Sequence, residues 1–195
     1  VLGQTEMPAV LMEAFNIRNS KQRKFYDKES NLRELAHAYG NGILSYLKEN
    51  PHVANVIIDN GHGRGDMGAP DDARNPTVYE GDFTRKIFGS LRDFLSKERE
   101  RSRRGPNVFA LDYNGGGGQR ERLRWYVNEA NRINQKVNGK DNSVYVSIHI
   151  NSARPDFEPP PEARIHGRGP QPKSTELGAH ILSYAVPFYQ KNFED

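Results

Sequence analysis

The sequence predicts one α/β domain in which a largely parallel, twisted sheet is flanked by helices. Short apolar runs alternate along the chain with segments whose apolar residues recur every three or four positions, the pattern of strands and amphipathic helices. A length of 195 residues fits one domain with a single core. With 35% hydrophobic and 27% charged residues, the composition is that of a globular chain rather than a disordered one.

Four short apolar segments are predicted as strands. Residues 53–59 are apolar almost without interruption, so this strand is expected to be buried on both faces. The other predicted strands are residues 8–13, 107–112 and 143–150.

Four amphipathic helices are predicted around these strands. They cover residues 31–48, the segment around residues 83–95, residues 119–137, and a last helix that begins near Ser174 as its N-cap and is interrupted by Pro187. Residues 115–118 are four glycines and are expected to form a flexible connection. Proline and glycine at 159–161 and 167–172 predict loops.

The composition also excludes several classes of site. The chain has no cysteine, so disulfides, thiolate zinc sites and cysteine nucleophiles are excluded, and any metal must be held by His, Asp or Glu. No apolar run is long enough for a membrane span. The net charge of +3 permits attraction to polyanions, but no aromatic–basic motif indicates nucleic acid. No secretory signal is visible at the start of the chain.

Two histidines follow the carboxyl ends of predicted strands, where open α/β sheets form their sites. His62 follows the second strand, and His149 lies near the end of the fourth. Glu80 stands just before a predicted helix, from which a carboxylate can reach the same edge. Two histidines and a carboxylate are a ligand set of catalytic zinc sites. Each residue also has a structural reading: histidines at strand ends are commonly hydrogen-bonded, and a glutamate suits a helix N-terminus.

The motifs around these residues resemble a known enzyme family. Residues 57–63 read Ile-Ile-Asp-Asn-Gly-His-Gly, Glu80 precedes an amphipathic helix, and residues 146–152 read Val-Ser-Ile-His-Ile-Asn-Ser. Together with Arg-Leu-Arg-Trp-Tyr-Val-Asn-Glu-Ala-Asn at 122–131, this order resembles the zinc-dependent N-acetylmuramoyl-L-alanine amidases of the amidase-3 type. The resemblance implies that His62, Glu80 and His149 bind Zn²⁺.

One motif of this family stands in an unexpected place. Residues 8–19, Pro-Ala-Val-Leu-Met-Glu-Ala-Phe-Asn-Ile-Arg-Asn, resemble the family's last strand, and residues 31–48 resemble its final helix. The chain therefore looks circularly permuted, with residues 1–49 equivalent to the family's C-terminal strand and helix and residues 53–190 equivalent to the rest. An alternative is that the N-terminal segment completes a neighbouring molecule by exchange.

The permutation assigns a role to Glu13, which stands where the family has its catalytic glutamate. Glu13 is then expected within a few ångströms of the metal, as the group that takes the proton of the attacking water. Asn151 is expected to bind substrate or support a ligand, although a structural amide is equally consistent with its position. Glu29, Glu34 and His180 are interpreted as structural.

The expected function is zinc-dependent hydrolysis of the amide between N-acetylmuramic acid and L-alanine in peptidoglycan, as an endolysin or autolysin. The expected place of action is the cell wall, reached as a periplasmic, secreted or phage-released protein. Two alternatives remain open: a zinc hydrolase that cuts a different amide, and a non-catalytic module that binds cell wall or polyanions. The sequence does not predict the oligomeric state.

Overall fold

The computed structural model describes residues 2–63, 66–102, 105–115, 118–137, 142–157, 160–164 and 172–193. Its strands are β1 (Ala9–Asn16), β2 (Asn55–Asp59), β3 (Asn107–Leu111), β4 (Ser143–Asn151) and β5 (Glu162–Arg164). Its helices are α1 (Ser20–Tyr26), α2 (Glu29–Glu49), α3 (Glu80–Ser102), α4 (Gln119–Lys136) and α5 (Pro172–Phe193), preceded by a 3₁₀ turn at Leu2–Gln4.

The five strands form one mixed sheet in the order β3-β2-β4-β1-β5. The pairs β2–β3, β2–β4 and β1–β4 are parallel, and only the short edge strand β5 is antiparallel to its neighbour. The predicted α/β class and largely parallel sheet are therefore confirmed. The carboxyl ends of β2, β4 and β1 meet at one edge of the sheet, where ligands bind in open α/β folds.

Alternating residues send their side chains to opposite faces of this sheet. On one face, Val10, Met12, Val56 and Val146 belong to a large core formed with α2, α3 and α5. On the other face, a smaller core joins the sheet to α4 and the N-terminal turn; it includes Leu2, Ala9, Ile57, Tyr126, Ala130, Ile133 and Tyr145. The molecule thus has helices on both faces, and β2 is fully buried as its apolar sequence predicted.

The structure corrects two predictions for the last helix. Pro187 does not interrupt α5, which continues to Phe193. Ala185 and Tyr189, on either side of the proline, are both buried, and this packing holds the helix together across the missing N–H donor. Ser174 is not the N-cap, since it lies inside the helix, and its hydroxyl instead accepts a hydrogen bond from the Ala9 N–H at the start of β1.

Two elements have no clear signal in the sequence. The helix α1 is short and mostly polar, and it begins where the Asn19 side chain accepts the Gln22 N–H. The strand β5 has only three residues, Glu-Ala-Arg, and exists because its backbone pairs with β1. Neither segment is long enough to show a regular spacing of apolar residues. In the described part of the chain, no helix combines the length and apolar character that crossing a membrane requires.

Candidate metal centre

A glycine turn at the end of β2 positions His62. Gly61 has a φ of 67°, and a side chain there would place its Cβ 2.9 Å from Nε2 of His149. The carboxylate of Asp59 accepts the Gly61 N–H at 2.6 Å and fixes this turn. Only glycine combines the positive φ with the close approach, so the turn brings the two histidines together.

A second glycine, Gly68, lets the chain pass close to the side chains of His62 and Glu80. Gly68 has a φ of 73°, and a Cβ at this position would lie 2.8 Å from Nε2 of His62 and from Cβ of Glu80. The Met67 carbonyl accepts the Gly81 N–H at 2.8 Å, which ties this loop to the first turn of α3. The loop therefore encloses His62 and Glu80, which are only 7% and 5% exposed.

The carboxylate of Glu80 lies between the two histidines. Its Oε1 is 2.9 Å from Nε2 of His62 and 3.0 Å from Nδ1 of His149. The backbone N–H groups of Ile150 and Ala69 donate to Oε1 and Oε2 at 2.8 and 3.3 Å, so the carboxylate is held from both sides. The histidine rings are 5.0 Å apart.

The surroundings shift the pKa of Glu80 and of His149. Burial by itself would raise the pKa of Glu80, but the two histidines outweigh it and hold this pKa far below its usual range. Burial would lower the pKa of His149, yet the negative charge of Glu80 leaves it raised. The cluster thus contains a permanent carboxylate charge in a closed environment, which favours a bound cation.

These residues could hold a metal ion. The ring nitrogens of His62 lie 2.9 Å from Glu80 and 3.5 Å from Asp66, but among the described residues neither contact has the geometry of a hydrogen bond. Such orphaned, buried nitrogens are costly unless a ligand satisfies them. Zinc bonds of about 2.0–2.2 Å place tetrahedral ligand atoms about 3.4 Å apart, close to the separations found here. The residues available are two imidazoles and one carboxylate, the set of an open catalytic site.

A carboxylate and an arginine support His62 from the side of α4. Oδ2 of Asp66 lies 3.5 Å from Nδ1 of His62. The same oxygen forms a close ion pair with Arg122, whose side chain is only 2% exposed. A carboxylate on the remote nitrogen of a metal-binding histidine orients the ring and raises its basicity. Sequence reasoning missed Asp66, because only the folded loop brings it back to His62.

Glu13 lies beside this cluster. In the parallel register of β1 and β4, Glu13 is the partner of His149. Its Oε1 is 3.4 Å from a guanidinium nitrogen of Arg164 on β5, and its Oε2 is buried without a hydrogen-bond partner among the described residues. Burial raises the pKa of Glu13, and the charges of Arg164 and His149 only partly oppose this.

The structure thus brings His62, Glu80 and His149 into one cluster and places Glu13 opposite His149 on the neighbouring strand. Asn151 also lies near, at the end of β4, where its carbonyl accepts the Ile17 N–H at 2.9 Å. Its role toward substrate stays a prediction, as does the permutation. Arg164 had no sequence signal, since its relation to Glu13 depends on the pairing of β5 with β1.

Comparison with protein-family models, curated proteins and solved structures gave no match for this chain. The geometry of the cluster and the motifs that form it therefore carry the functional argument.

Proposed function

We propose that this protein is a zinc-dependent amidase that hydrolyses the bond between N-acetylmuramic acid and L-alanine in peptidoglycan. The observation that carries the proposal is the position of Glu13, a buried carboxylate with one unpaired oxygen beside a cluster of three metal ligands. The ligand cluster alone would suit many zinc proteins. The choice of this amide rests on the resemblance of the motifs around His62, Glu80 and His149.

The cluster supplies the metal function. His62, Glu80 and His149 would hold the ion, with Asp66 keeping the imidazole of His62 in position. A bound zinc ion supplies a Lewis acid for the amide carbonyl and a lower pKa for water. The enclosure of His62 and Glu80 restricts water on that side, while the more exposed Arg164 marks the open side near Glu13.

Glu13 moves the proton in this mechanism. Its free Oε2 accepts a proton as water attacks the carbonyl carbon, and the same oxygen returns the proton to the leaving nitrogen. A carbon–oxygen bond forms, the carbon–nitrogen bond breaks, and the products are the lactyl carboxylic acid and the free amine of L-alanine. A pKa raised by burial suits this task, because a proton carrier works best when its pKa approaches the working pH.

The test compares the intact protein with Glu13→Gln on purified peptidoglycan. We expect the variant to bind zinc as before but to release new amino termini about 10²–10⁴-fold more slowly, since it cannot accept the proton. The matched control is Glu162→Gln, which removes the carboxylate of the residue that pairs with Glu13 on the neighbouring strand β5. Mass spectrometry of the released fragments identifies the bond that was cut.

Three results would contradict the proposal. Full activity in Glu13→Gln would place the proton carrier elsewhere. Cleavage of a different bond would favour a zinc hydrolase of another amide. Binding of the intact protein to the wall without any release of peptide would favour a non-catalytic module.

A further inference from the structure

A second group of metal-binding residues lies between α2 and α5. Glu49 is the last residue of α2, and Glu176 and His180 stand one turn apart on α5. One ligand atom from each residue lies within 4.8 Å of the other two. Nε2 of His180 is 3.5 Å from Oε2 of Glu49, close to the spacing of about 3.4 Å expected for two ligands of a tetrahedral zinc ion.

The packing of the two helices holds these residues at a fixed distance. Gly42 allows the backbones to approach so closely that a Cβ there would lie 2.6 Å from the His180 carbonyl oxygen. Gly42, Ser45 and Glu49 follow one another at helical spacing, so they lie on the same face of α2, toward α5. The His180 side chain is only 17% exposed in this contact.

Two of the three candidate ligands also have a partner that orients them. The hydroxyl of Ser45 lies 3.2 Å from Nδ1 of His180 and can accept its proton, which leaves the lone pair on Nε2. The Asn50 side chain donates to Oε1 of Glu176 at 3.0 Å and leaves the other oxygen for a ligand. Outer partners of this kind are typical of metal sites.

We infer that Glu49, Glu176 and His180 form a second, structural site for a divalent transition metal, with zinc as the best match to its mixed nitrogen and oxygen donors. Glu176, one turn before His180 on α5, brings a second carboxylate to the point where His180 meets Glu49. The ion would clamp the end of α2 to α5. Because Glu49 is exposed, this site binds more weakly than the enclosed cluster around His62.

The test counts zinc ions bound to the whole chain by equilibrium dialysis across a range of free zinc. We expect the intact protein to bind two ions, the weaker of which is lost, or bound at least tenfold more weakly, in His180→Gln and in Glu49→Gln. Glu49→Gln changes an exposed side chain at a helix end and should leave the fold intact. A loss of zinc in this variant therefore cannot be attributed to misfolding. His37→Gln and Glu34→Gln, both on α2, are the matched controls and should keep two ions.

This site is independent of the proposed amidase activity. In a His62→Ala variant, the tight zinc should be lost while the weaker one remains and still depends on Glu49. One ion per chain in the intact protein that is lost in His62→Ala and kept in Glu49→Gln would overturn the inference. So would a second ion that survives both His180→Gln and Glu49→Gln.

Discussion

At the scale of single residues, the candidate centre also depends on side chains that are not ligands themselves but contact the ligands. Asp66 contacts the remote nitrogen of His62, and the buried Arg122 holds Asp66 in place. Arg122 lies on α4, so this pair connects the ligand loop to the helix on the opposite face of the sheet from α3. The orientation of the His62 ring therefore depends on an ion pair between two elements.

We expect Asp66→Asn to weaken zinc binding about 10–100-fold, because the neutral amide orients and polarises the imidazole less well. Competition with a chelator measures this affinity. Asp72→Asn is the control, since Asp72 is an exposed carboxylate of the same loop and its side chain accepts the Arg74 N–H. Equal zinc affinity in Asp66→Asn and the intact protein would show that Asp66 does not support the ligand.

At the scale of elements, the contact of α2 with α5 depends on the absence of a side chain at Gly42. A Cβ at this position would collide with the backbone of His180 and Ile181, which cannot move away as a side-chain tip could. Gly89 on α3 is different, since a Cβ there would meet no atom within 4 Å. The two helical glycines thus allow a direct comparison.

We expect Gly42→Ala to lower the free energy of unfolding by about 1–3 kcal/mol through overpacking. Gly89→Ala should raise it by about 0.5–1 kcal/mol, because alanine is the better helix former and finds free space. Urea denaturation of both variants measures the two changes. If Gly42→Ala raised the free energy of unfolding as Gly89→Ala is expected to do, the close approach of α2 and α5 would be contradicted.

At the scale of the whole molecule, the candidate centre joins three separated parts of the chain: the end of β2, the start of α3 and the strand β4. Its ligands can come together only in the folded state. A metal ion that binds this folded arrangement would therefore stabilise the native state by mass action.

We expect the midpoint of thermal unfolding to fall when zinc is removed and to recover when zinc returns. Free zinc at 100 times its Kd would raise the free energy of unfolding by about 2.7 kcal/mol. The comparison with Glu80→Gln separates the candidate centre from the site at α2 and α5, because the variant should lose most of the shift. An unchanged melting curve of the intact protein after thorough chelation would contradict a well-occupied centre.

Long periodic segments and short apolar runs were sufficient to predict most elements. The predicted helix at 31–48 became Glu29–Glu49, and the predicted strand at 143–150 became Ser143–Asn151. The prediction failed where an element depends on distant partners. The strand β5 forms through its pairing with β1, and the helix α5 continues past Pro187 because both sides of the proline are packed.

The sequence by itself determined the α/β class, because the periods of its apolar residues require strands and helices that bury one another. It also indicated Glu13, His62, Glu80 and His149, because the motifs are local. Only the tertiary structure decided that β1 lies beside β4, that Asp66 and Arg164 join the centre, and that His180 meets Glu49. Apart from the contact between Asp66 and its near neighbour His62, these contacts link residues far apart in the chain. A local pattern carries no information about which distant atoms the packing of the core will bring together.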